Sequence, residues 1–145
     1  MIRTVLSRAA VIFLLVSAPA TARPALYAQT AGQATPAQAA AFVGDWTLAL
    51  VGDMGPANFD LTIKLDQNKV AGQISGAEQP AVAISNITMA EKTMVLSYNL
   101  DYQGMAIDTV LSLTPGADGK VSARMEFASG AYVVTGAATK KEKAK

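Results

Sequence analysis

From Trp46 to Thr139 apolar and polar residues alternate with a period of two, the spacing of half-buried β-strands. Trp46, Leu48 and Leu50 share one face of a first strand. Phe59, Leu61, Ile63 and Leu65 alternate with Asp60, Thr62, Lys64 and Asp66. Val70, Gly72 and Ile74 follow a short Asp-Gln-Asn-Lys turn, so the second and third strands form a hairpin. Val82 and Ile84 begin a further strand, but Ile87 and Met89 take up the opposite parity, and this phase slip near Ser85-Asn86 predicts a bulge or a turn. Met94, Leu96, Tyr98 and Leu100 line the next strand, which turns at Asp101–Gly104 into Met105, Ile107, Leu111 and Leu113. After the Pro, Gly and Asp-rich turn Thr114–Lys120 come Val121, Ala123, Met125 and Phe127, and Ala131–Thr139 is the last strand.

About eight short strands joined by consecutive hairpins predict an all-β domain, and no segment after Phe42 has a helical period. The expected architecture is an eight-stranded antiparallel up-and-down barrel, closed or nearly so, in preference to a sandwich, because closure removes strand edges that invite aggregation. One or two helical turns over Pro36–Phe42, with Thr35 as the cap, precede the first strand. An outer-membrane barrel also alternates. Short strands, the lack of aromatic girdles and a lysine-rich end argue against it here.

The N-terminal 28 residues change the picture. Arg3 and Arg8 precede the apolar run Ala9–Val16, and small residues and prolines follow, the layout of a cleaved secretory signal peptide. The run is too short to span a bilayer. Cleavage after Ala20, Ala22 or Ala28 fits, and residues 29–36 read as a linker to a domain over residues 37–139, with residues 140–145 as a basic tail. The expected location is the periplasm or the medium. Removing Arg3, Arg8 and Arg23 leaves nine basic against eleven acidic residues, net −2. Four of those nine lie in the tail, so the body is acidic, which argues against nucleic acid as a partner.

Candidate chemistry is sparse. The chain has no cysteine and no histidine, which excludes thiolate chemistry, the usual general base and the commonest metal ligand. The aspartates fall at turns or on outward rows, the serines lack a base, and Asp118 in GADGK fits ordinary turn chemistry better than half a calcium loop. No enzyme activity, cofactor or metal is therefore expected. The inward rows offer Phe59, Met94, Tyr98, Met105, Met125 and Phe127, with Tyr132 or Val133 from the last strand, an almost uncharged set that either lines an apolar cavity or fills a solid core.

Gly44-Asp45-Trp46, after a short helical turn and at the start of the first strand, resembles the G-x-W start of the calycin group, which includes the lipocalins, the fatty-acid-binding proteins and the avidins. The resemblance implies that Gly44 and Trp46 plug one end of a barrel running from about Phe42 to Thr139, with a ligand cavity opening at the other. The chain departs from the group in three ways. Lipocalins usually stack an arginine from the last strand on this tryptophan, where only Lys140 is offered; the helical lid of fatty-acid-binding proteins is missing; and no inward basic residue awaits a carboxylate. Two functions are therefore weighed. One is a binding module for a small apolar or amphipathic ligand. The other is a cell-envelope interaction or structural module with a solid core, making contacts through loops such as Gly52–Ala57 and Ser75–Pro80.

Overall fold

A computed structural model describes residues 33–77 and 79–143, so the expected signal peptide and the first half of the linker, residues 29–32, lie outside the described residues. The chain opens with the helix α1 (Pro36–Ala39) and a 3-10 turn (Ala40–Phe42). Thr35 caps α1 as expected, and it does so in a full capping box: its side chain accepts from the Gln38 backbone N–H while the Gln38 side chain accepts from the Thr35 N–H.

Nine strands follow: β1 (Gly44–Gly52), β2 (Gly55–Asp66), β3 (Lys69–Gly76), β4 (Gln79–Ile84), β5 (Asn86–Ala90), β6 (Thr93–Tyr102), β7 (Met105–Pro115), β8 (Val121–Phe127) and β9 (Tyr132–Lys140). They form one antiparallel sheet in the order β4-β3-β2-β1-β9-β8-β7-β6-β5. Two expectations are corrected. There are nine strands and not eight, because the segment with the phase slip breaks at Ser85 into β4, which pairs with β3, and β5, which pairs with β6. The sheet is also not closed into a barrel, since β4 and β5 are its two edges.

The edges nonetheless meet. Ile84 and Asn86 are joined by Ser85 alone, β4 lies against β6, and the Ser85 hydroxyl donates to the Ser97 carbonyl at 3.0 Å. The sheet therefore curls into a cup with a seam in its wall. A strap, Gln33–Thr35, lies along the seam: the Ala34 N–H donates to the Ile87 carbonyl at 2.8 Å, and Gln33 bridges to Thr88.

The inner face of the cup is the core. Leu48, Leu50, Leu61, Ile63, Ile87, Leu96, Leu111 and Leu113 are fully buried there. Each of these stabilises the fold by roughly 1.5–3 kcal/mol through burial of its apolar surface. Two backbone features set the register. The β2–β3 turn has both central residues, Gln67 and Asn68, at positive φ, as a two-residue type I′ hairpin requires. Gly136 on β9 faces β1 so closely that a Cβ there would strike the Ala49 carbonyl oxygen. No helix among the described residues is long and apolar enough to cross a membrane.

Candidate functional site

Antiparallel order places the turns alternately at the two ends of the cup. The base holds α1 and the β2–β3, β5–β6 and β7–β8 turns; the mouth holds the β1–β2, β3–β4, β6–β7 and β8–β9 turns. At the base, Trp46 is 5% exposed and its Nε1–H donates to the Phe42 carbonyl at 2.7 Å, so the helical turn ahead of β1 is what satisfies the indole. The Lys140 ammonium stands 5.4 Å from the centre of the Trp46 ring. Gly44, at φ +135°, leaves room for it: a Cβ at this position would come within 2.7 Å of the Lys140 Cε. The supposed tail thus begins as the last residue of β9, and Lys141 continues it, pairing with Asp60 at 2.8 Å and donating its N–H to the Asp45 carbonyl.

The six predicted lining residues separate by height. Met94, Tyr98 and Met125 lie in the packed core, where the Tyr98 hydroxyl reaches the Met125 sulfur at 3.8 Å. Burial pushes the Tyr98 phenol well above the ordinary tyrosine range. Phe59 and Phe127 are half-buried nearer the mouth. Met105 shares the inward parity of Leu111 and Leu113 but is 62% exposed, because the β6–β7 hairpin runs four residues past Thr109, where β8 stops accompanying it. Inward parity placed Met105 on the correct row and gave no information about its height.

The mouth also gathers Met54, which alternation did not single out, and Tyr132, which shares the inward parity of β9. Met54, in the two-residue β1–β2 turn, is 91% exposed, and Tyr132, which pairs with Phe127 across the β8–β9 turn, is 61% exposed. The signal of Met54 in the sequence is an apolar residue inside a turn (Gly52-Asp53-Met54-Gly55), where polar residues are the rule. Asp53, Met54, Phe127, Tyr132, Val133 and Val134 line a cleft of about 250 Å³. The β1–β2 turn can lie this close to β9 because Gly52 carries no side chain; a Cβ there would come within 2.5 Å of a Val134 methyl. A second mouth cleft, of about 410 Å³, runs between Asn58-Phe59 and Gly76-Ala77.

A further cleft, about 430 Å³, follows the seam between the strap, the β2–β3 turn and Ile84–Ile87. Its polar groups belong to separate turns, and its apolar floor is the ground on which the strap itself packs. Charge is unevenly shared between the ends. Among the described residues Lys64, Lys69, Lys92, Lys120, Lys140 and Lys141 sit toward the base, mixed there with Asp45, Asp66, Glu91 and Asp118, whereas the mouth carries only acids, Asp53, Asp101 and Asp108. Arg124, at mid-height, is held by Glu126 at 2.7 Å. Asp118 accepts from the Lys120 N–H inside its own turn, the ordinary turn role. Comparison with protein-family models, with curated proteins and with solved structures gave no match for this chain.

Proposed function

We propose that this chain is a secreted or periplasmic binding module, without catalytic activity, that holds a small apolar or amphipathic ligand at the mouth of the cup. The observation carrying this reading is the placement of Met54, Met105, Tyr102 and Tyr132, all half exposed or more, at one end of the sheet above a packed core. Apolar side chains lose their favourable transfer energy when left in water, and several gathered at one rim mark a place that another molecule covers. Phe59 and Phe127, half-buried beneath that rim, supply the inner wall of the two mouth clefts. Met94, Tyr98 and Met125 are the floor and do not touch the ligand. The Lys140–Trp46 stack at the base favours the calycin-like reading of Gly44 and Trp46 as a structural plug, with lysine in the place of the usual arginine.

Titration with an uncharged naphthylamine dye tests this. The dye is expected to brighten on binding, and Tyr132→Ser together with Met105→Ser should weaken it by about tenfold, the effect of removing two apolar contacts. Equal brightening with Phe59 and Phe127 both replaced by serine would place the dye elsewhere and sink the proposal. Met54 and the outward-facing Val51, both largely exposed, favour a second reading in which the same end docks a protein of the cell envelope. Crosslinking through a photoreactive residue at Met54, with no dye bound, separates the two.

A further inference from the structure

The charge of the mouth allows the ligand to be described more closely. The cleft between the β1–β2 and β8–β9 turns presents one carboxylate, Asp53, beside two aromatic rings, Phe127 and Tyr132, and the methionine Met54. Among the described residues it holds no cationic side chain. The nearest arginine in the flanking strand, Arg124, is on the outer row and already paired with Glu126, and the sheet's lysines are at the opposite end. A fatty-acid carboxylate or a phosphate would therefore meet an uncompensated negative charge and no donor of opposite sign. An ammonium group would meet a carboxylate and the negative faces of the rings. At about 250 Å³ the cleft is smaller than the roughly 300–1,000 Å³ of sites that enclose a whole drug-sized molecule, so it suits a head group whose apolar remainder lies along the rim.

We propose that this cleft takes the ammonium group of an apolar amine or quaternary ammonium compound, with Asp53 as counter-ion, Tyr132 and Phe127 as ring partners, and the apolar rim holding the hydrocarbon part. The inference rests on the mouth being the binding site. Gly52 is a positioning residue: it lets the β1–β2 turn close on Val134 and so brings Asp53 to the rings.

Calorimetric titration with three probes that share one decyl chain tests the inference: decyltrimethylammonium, decanol and decanoate. The cation is expected to bind about five- to tenfold tighter than the alcohol, the ratio one exposed carboxylate and one cation–π contact supply, and decanoate weakest. Asp53→Asn should remove most of the cation's advantage over decanol, weakening the cation several-fold more than the alcohol. Tyr132→Leu should weaken the cation more than the alcohol, and added salt should narrow the gap. Decanoate binding as tightly as the cation, or a preference that survives Asp53→Asn, would overturn the ammonium assignment while decanol binding left the mouth standing as a site. Failure of all three probes to bind would overturn both.

Discussion

At the scale of single residues, Trp46 and Tyr98 show how the fold treats polar atoms attached to large rings. Trp46 has its N–H satisfied by a backbone carbonyl four residues upstream, which ties the helical turn to the sheet. Among the described residues Tyr98 has only a sulfur for its hydroxyl, and it is surrounded by the core, so its neutral form is strongly preferred. The consequence is a dependence of stability on pH. The folded phenol titrates above the unfolded value of 10.0, so its contribution is complete below that value and is lost as pH rises beyond it. The protein should lose up to about 1.4 kcal/mol per pH unit in this range. Tyr98→Phe should flatten that part of the curve. Urea denaturation at alkaline pH checks it, and equal slopes for the two proteins would show that Tyr98 ionises as freely in the fold as in the unfolded chain.

At the scale of the strands, close approaches between neighbours decide which small residues can be changed. A Cβ at Gly136 would meet the backbone of Ala49 and Leu50, and backbone inside a ladder cannot move away without breaking hydrogen bonds. A Cβ at Gly72 would meet no backbone: its closest contacts are the ends of Ile84 and Ile87, at 2.9 and 3.2 Å, which can rotate, and the Ile84 Cβ at 3.4 Å is an ordinary contact. Gly136→Ala is therefore expected to destabilise by about 1–3 kcal/mol or more, and Gly72→Ala by clearly less. The midpoints of denaturant unfolding rank the two, and the reverse order would mean that β1 and β9 adjust more easily than the side chains at the seam.

At the scale of the molecule, the seam is where the fold is least tied together. β4 and β6 touch without forming a ladder, and the strap residues Gln33–Thr35 hold the outer edge of β5 through the Ala34–Ile87 hydrogen bond and the contact of Gln33 with Asn86. Local opening draws on regions with few such ties. Removal of the chain through Thr35 should speed amide exchange in β5 markedly while β8 and β9, central in the sheet, exchange as before. Unchanged exchange in β5 would mean that the bend at Ser85 holds the edge by itself.

Much of this was legible in the alternation of residues. Period two assigned the strands and their inward faces, Thr35-Pro36 marked the helical turn, and the parity change at Ser85-Asn86 located the break between β4 and β5. These are local consequences of the pleat and of backbone hydrogen-bonding preferences, so nearest neighbours along the chain suffice to specify them. Three matters were decided only in three dimensions: that the sheet curls without closing, that Met94 and Met125 belong to the floor while Met105 stands at the rim, and that Lys140 lies on Trp46. Alternation states which side of a strand a residue faces. It carries no information on how far the neighbouring strand extends beside it or how strongly the sheet bends, and those two quantities set both the burial of an inward residue and what it can touch.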